Sequence, residues 1–227
     1  LSLHLKIVDI NSLFLHEETI PEMLEKLAAE IRMDEALRHP VIVDKESFVV
    51  LDGMHRVAAL KLLSCRRIPV CLVNYKSPSI SVGAWYRTIT AANNYSIDRM
   101  LENMSSLGFN IEKVYLEPDD KIGKNDIVAA IKTRENTYLI CHSFGNLKEA
   151  YDYIKFIENR LKQLNFKVNY DTEADSFKKL KEGIVDAVLL TPKLSKDEIV
   201  KTALSGEVFA HKATRHIIPA RPLYVNV

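Results

Sequence analysis

The run Asp52-Gly53-Met54-His55-Arg56 puts a carboxylate, a glycine, an imidazole and a guanidinium at one point of the chain. A β-branched apolar stretch, Phe48 to Leu51, leads into it, and helical periodicity follows, with Val57, Leu60 and Leu62 or Leu63 on one face. The pattern is strand, tight turn, helix. Cations in a first helical turn oppose the helix dipole by roughly 0.3–1 kcal/mol each. A bound phosphate would remove that conflict, because free amides, the positive dipole end and two basic side chains would meet one anion. Gly53 would let backbone and ligand come close. The alternative is structural: Asp52 caps the helix, and His55 and Arg56 are solvated. The short motif leaves both readings open.

Three further places carry candidate chemistry. His16-Glu17-Glu18-Thr19 is a polar knot just ahead of a helix opened by Thr19 or Pro21, whose apolar face is Met23, Leu24, Leu27, Ala28 and Ile31. Its acids either complement the helix dipole or hold a carboxylate beside the phosphate turn. In the tail, His211, Lys212, Thr214, Arg215 and His216 crowd a short segment. They form either an exposed basic turn or a site for a carboxylate or phosphate, where arginine would bind in bidentate fashion. Trp85, the only tryptophan, serves packing or walls a ligand.

The elements that must position these residues follow from periodicity. Strands are expected at Leu3–Ile10, Val41–Asp44, Phe48–Leu51 and Ile68–Val73, giving a compact α+β unit of mixed strand direction. Residues 76–84 read as a linker. Beyond them come a helix within 92–107, a hairpin of Ile127–Ile131 with Tyr138–Cys141, and a long helix Leu147–Leu164. A strand Phe166–Tyr170, a helix Glu173–Glu182, a strand Val185–Leu190 and a helix from Ser195 with a Ser-x-x-Glu capping box come next, then a final strand Leu223–Val227. Two domains are therefore expected, 1–90 and an α/β domain at 91–227.

Composition narrows the function. With 31 basic and 30 acidic residues in 227, the net charge of +1 gives no reason to expect a nucleic-acid partner. No apolar run approaches the length of a bilayer span, so a cytoplasmic protein without membrane partners is expected. The three cysteines, Cys65, Cys71 and Cys141, lack metal-ligand spacing and read as reduced thiols. No Gly-x-x-x-x-Gly-Lys-Ser/Thr loop is present, which excludes a standard P-loop enzyme.

Val49-Val-Leu-Asp-Gly-Met-His-Arg56 resembles the nucleotide motif of the ParB/sulfiredoxin superfamily, and the wider pattern resembles its free serine kinase branch. Leu15-His16-Glu17 is similar to that branch's catalytic loop. Arg38-His39-Pro40 with Ile42-Val43, and Ile68-Pro69-Val70, resemble the strands flanking the motif. Ser81-Val82 with Trp85 resembles the substrate-side segment, and Ala213-Thr214-Arg215-His216 the C-terminal signature. Met54 departs from a second histidine found in some members.

The resemblance implies a ParB/sulfiredoxin-like nucleotide-binding domain and Mg²⁺-dependent phosphoryl transfer from ADP or ATP to free L-serine. The product would be O-phospho-L-serine, a precursor for cysteine biosynthesis. On the same basis Gly53, Met54, His55 and Arg56 would cradle phosphates, and Asp52 would join them and hold the metal. Glu17 would be the general base. Thr214, Arg215 and His216 would bind serine's carboxylate beside Trp85. The oligomeric state and the donor are left open, with a monomer favoured. The competing class is a ParB-like, CTP-binding, DNA-associated regulator, against which stand the balanced charge and the lack of a recognition helix after the motif. Sulfiredoxin-like chemistry is disfavoured, since Met54 occupies the middle of the turn where a reactive cysteine would be needed.

Overall fold

The computed structural model describes residues 4–91, 96–115 and 121–221. The chain forms two compact units. One comprises Leu1–Gly83, Ser195–His211 and His216–Val227; the other comprises Ala84–Leu194 and Lys212–Arg215.

In the first unit the chain runs β1 (His4–Asp9), α1 (Pro21–Asp34), β2 (Val41–Asp44), β3 (Val50–Asp52), α2 (Met54–Leu62), β4 (Arg67–Val73) and β5 (Ser81–Gly83). Four of these strands make a sheet in the order β1-β4-β2-β3. β2 and β4 are parallel, while β1 with β4 and β2 with β3 are antiparallel, the mixed directions expected from sequence. All four residues of β2 are buried, which is why it reads as an unbroken apolar run rather than an alternation. Val8, Val41, Val43, Val57, Leu60 and Val70 share the core, and α1 packs on α2. The expected strand from Phe48 starts later. Phe48 has φ 59° and its amide closes a turn on the Asp44 carbonyl at 3.0 Å, so pairing begins at Val50.

The second unit contains β6 (Tyr86–Thr90), α3 (Ile97–Ser106), β7 (Asn110–Val114), β8 (Ile127–Lys132), β9 (Thr137–Cys141), α4 (Leu147–Gln163), β10 (Lys167–Asp171), α5 (Glu173–Lys181) and β11 (Ala187–Leu190). Its sheet has the order β10-β6-β11-β8-β9-β7, and each pairing is antiparallel. Ser96, Asn146 and Thr172 cap the three helices through their side-chain oxygens.

The chain then returns to the first unit with α6 (Lys196–Leu204), opened by the expected Ser195–Glu198 capping box, and with β12 (Arg215–Ile217), which pairs with β5. The expected division at residue 90 therefore shifts. Tyr86–Thr90 pairs with β10 and β11, which places it in the second unit, and much of the C-terminal stretch returns to the first. The stretch read as a linker contains β5. The strand expected at 223–227 lies outside the described residues. Among the described residues no helix is long and apolar enough to cross a membrane.

Candidate functional site

Gly53 is the N-cap of α2, with φ 100° and ψ 27°. A Cβ there would lie 2.8 Å from the Arg56 Cζ and Nη2, so both the left-handed backbone and the folded-back arginine call for glycine. No side chain caps α2, and a helix N-terminus without such a cap is a setting suited to an anion. Met54 packs its side chain on the core and offers the turn only backbone.

The two basic residues behave differently from the sequence expectation of two converging cations. His55 Nε2 accepts a hydrogen bond from the Ile20 amide at 3.0 Å, so the ring is neutral with its proton on Nδ1. Arg56 turns back: Nη1 donates to the carbonyls of His39 at 2.8 Å and Pro40 at 2.9 Å, and Nη2 meets Asp52 Oδ2 at 3.3 Å. Asp52 Oδ2 also accepts from Arg221 Nη1 at 2.9 Å. The arginine therefore braces the turn as well as charging it. Behind it lies a cavity of about 450 Å³, walled by Leu27, Ile31, Leu37 and Ala36 and reached by His39 and Arg56.

The loop with Glu17 is fixed to the same unit. His16 carbonyl accepts from the Phe209 amide at 2.8 Å, and the Glu18 amide donates to the Phe209 carbonyl at 2.9 Å, with Glu17 and Phe209 forming a parallel bridge. The bond from Ile20 to His55 ties this loop to the phosphate turn. Glu17 is only 5% exposed. Beside it, fully buried His16 donates from Nδ1 to the Val50 carbonyl at 2.8 Å, which directs its Nε2 to Glu17 Oε1 at 4.0 Å. Burial lowers the His16 pKa, while Glu17 and the Val50 carbonyl oppose the shift.

His216 stands edge-on to His16, with ring centroids 5.2 Å apart, and its Nε2 shares a 2.8 Å hydrogen bond with the Tyr75 hydroxyl. Burial, then His16, Arg221 and Lys196, hold His216 well below its ordinary pKa, so it is neutral. Tyr75 is pushed up by burial, Asp44 and Asp197 and keeps its proton.

In the second unit Lys212 and Arg215 lie over the Trp85 ring, at 4.8 and 5.6 Å from its centroid. The Trp85 carbonyl accepts from Arg87 Nη1 at 2.6 Å. Arg87 is itself fully buried against Glu158, which also accepts from the Tyr170 hydroxyl. Thr214 is buried. Of the expected tail residues, then, Thr214 and Arg215 belong to the unit of Trp85, and His216 to the unit of Glu17.

Among the described residues no group of three or more His, Cys, Asp or Glu converges. Mg²⁺ commonly takes one or two carboxylates plus phosphate oxygens. A single carboxylate at the phosphate turn fits that habit, and Asp52 is the one inside it. Sequence reasoning missed Tyr75, Arg221 and the part played by His16. Only His16 had a signal, its place directly before Glu17.

No protein-family model matches the chain. It is similar to an ATP-dependent L-serine kinase of Staphylothermus marinus, 29% identical over 234 residues, spanning 97% of this chain and 88% of the relative. It is also similar to the ADP-dependent L-serine kinase of Thermococcus kodakarensis, 22% identical over 97% of this chain and 89% of that protein. The fold matches a solved free serine kinase mutant in complex with AMP, with a TM-score of 0.85 and 19% identity over 99% of this chain and 92% of that one.

Proposed function

We propose that this protein is a free L-serine kinase. It moves the terminal phosphoryl group of ATP or ADP to the serine hydroxyl and forms O-phospho-L-serine, a supply for cysteine synthesis. The observation that carries the reading is the bond from Ile20 to His55 at 3.0 Å, which fixes a buried carboxylate loop to an uncapped helix N-terminus suited to phosphate. Similarity to curated serine kinases over nearly the whole chain supports it.

Phosphoryl transfer depends on positioning and charge neutralisation more than on covalent catalysis. The α2 amides after Gly53 and the Nδ1–H of His55 take the phosphates, with Arg56 holding the turn's shape and charge. The 450 Å³ cavity beyond Arg56, within the usual size of ligand pockets, takes the nucleoside. Asp52 would hold Mg²⁺, which would supply neutralisation of charge on the phosphates. Thr214, Arg215 and His216 bind the amino acid; Arg215 carries the charge for the carboxylate, because His216 is neutral. Trp85 walls that end. Glu17 takes the proton from serine Oγ as the Oγ–P bond forms, and the bridging P–O bond breaks with its electrons leaving on the nucleotide.

Phosphorus NMR of the protein with Mg²⁺, L-serine and ADP or ATP tests this. A phosphomonoester signal that appears only with serine is expected, and it identifies the donor. Nucleotide consumption without that signal refutes the assignment.

A further inference from the structure

In the second unit, the segment that carries Thr214 and Arg215 is tied to one face of α4. Tyr151, Ile154 and Glu158 follow one another on that helix at spacings of three and four, and all three are buried. Glu158 holds Arg87, whose Nη1 donates to the Trp85 carbonyl at 2.6 Å. Tyr151 is fully buried, and its hydroxyl meets two main-chain carbonyls, that of Pro192 at 2.6 Å and that of Ala213 at 3.0 Å. A phenol has one proton to donate, so a single hydroxyl joins two separate stretches of chain.

Both stretches lead to Trp85. Thr191 precedes Pro192, and its Oγ1 lies 3.4 Å from the Trp85 carbonyl. Ala213 lies between Lys212 and Arg215, whose cationic groups stand 4.8 and 5.6 Å from the centre of the Trp85 ring. Ala213 is buried, whereas Trp85, Lys212 and Arg215 are half-buried. The main chain is therefore anchored inside the unit while the ring and its two cations remain partly open to solvent. Lys212 has φ 61°, a conformation that residues other than glycine seldom adopt and keep only where their surroundings enforce it. The bond from Tyr151 to the next carbonyl along the chain is such an enforcement.

We infer that Tyr151 is a positioning residue for serine binding: its hydroxyl, shared between the Ala213 and Pro192 carbonyls, sets Lys212 and Arg215 over Trp85. The inference rests on the reading of Arg215 as the group that takes the serine carboxylate. A guanidinium grips a carboxylate through two parallel hydrogen bonds only when its plane is correctly presented. An arginine on loosely held chain would have to be ordered at each binding event, which weakens affinity. Tyr151 removes that cost in advance, since it fixes the backbone two residues before Arg215. Phenylalanine would fill the same space but donate nothing to either carbonyl.

The test combines kinetics with the fluorescence of Trp85, the only tryptophan. Cations beside the ring concentrate iodide there but leave neutral acrylamide unaffected, so the ratio of iodide to acrylamide quenching reports whether Lys212 and Arg215 are in place. In Tyr151→Phe that ratio should fall. The serine KM should rise by about 3- to 10-fold, the change that loss of one hydrogen bond commonly brings. The kcat and the nucleotide dissociation constant should stay within about twofold. Tyr153→Phe on the same helix, whose ring packs on His142 and Phe109, should change neither reading. Thr191→Val removes the hydroxyl beside the Trp85 carbonyl and should move both readings the same way by less; it carries the test should Tyr151→Phe not fold. A wild-type quenching ratio and a wild-type KM in these variants overturn the inference and leave the kinase reading intact. A lowered ratio with an unchanged KM overturns the link to serine. A wild-type protein that phosphorylates no serine overturns the kinase reading, and the quenching ratio then decides the positioning by itself.

Discussion

Replacing Gly53 with alanine tests whether the phosphate turn is a built site. Gly53 has φ 100°, and placing an L-residue in the left-handed region costs about 1–2 kcal/mol. The new Cβ would also sit 2.8 Å from Arg56 Cζ and Nη2 and 2.9 Å from Nε. A flexible side-chain end would normally swing clear. This one is held by the carbonyls of His39 and Pro40 and by Asp52, so moving it breaks at least one charged hydrogen bond, worth about 1.5–3 kcal/mol. The sum is roughly 2.5–5 kcal/mol, measurable as a fall in urea-unfolding free energy followed by circular dichroism. The same displacement moves a permanent cation of the turn, so ADP and ATP affinity by calorimetry should drop at least about tenfold, equivalent to about 1.4 kcal/mol. A Gly53→Ala protein with wild-type stability and wild-type nucleotide affinity would mean that Arg56 is not pinned and that the turn does not bind phosphate.

Glu17→Gln should lower the single-turnover rate of serine phosphorylation by about 10²–10⁴-fold with binding largely kept, whereas Glu18→Gln, the half-buried neighbour, should not; a defect confined to Glu18 moves the base elsewhere. Arg215→Ala should raise the serine KM and spare nucleotide affinity, and the opposite pattern in steady-state kinetics would assign the tail to phosphate. Acid should destabilise the fold: His16 and His216 are held below their ordinary value of 6.5, so below that pH the unfolded chain binds protons that the folded chain refuses. Each then lowers stability by up to about 1.4 kcal/mol per pH unit as pH falls. Urea midpoints at about pH 7.5 and 5.5 measure this, and a slope that is unchanged in His216→Gln would show that this ring is not buried neutral.

The strand, turn and helix around Gly53 were legible in sequence because what makes them is local. A β-branched run, a glycine that must take positive φ and a helix with its apolar stripe all lie between Val49 and Leu63. The hairpin of β8 and β9 and the capping box of α6 were readable for the same reason. The division of the chain was not, because it depends on pairing at long range. β6 joins strands some 80 and 100 positions away, and periodicity along the chain carries no record of which strand lies beside which. Arg56 shows the same limit at the scale of one side chain: its type announces a cation, but the carbonyls of His39 and Pro40 that turn it back are 17 and 16 residues distant.

Histidine is where sequence and structure part most sharply, and the reason is chemical. A histidine in a sequence reads as a possible cation, and His55 reads there as one of two charges at the turn. Its Nε2 instead accepts from the Ile20 amide, His16 Nδ1 serves the Val50 carbonyl, and His216 Nε2 is taken by Tyr75. Each ring is bonded to a group on a different stretch of chain, and no residue type or spacing encodes that partner. On the proposed reading, with these rings neutral, the first unit would offer the nucleotide amides and an N–H rather than histidine charge, and neutralisation would fall on Arg56 and the helix dipole, joined by Mg²⁺ if it is bound. That division suits phosphoryl transfer. Under that proposal, fixed donors would hold the transferred group in line, while cationic imidazoles beside Glu17 would pair with it and compete with its use as a base. Burial holds His16 and His216 neutral, a setting compatible with the proposed role of Glu17 as a base.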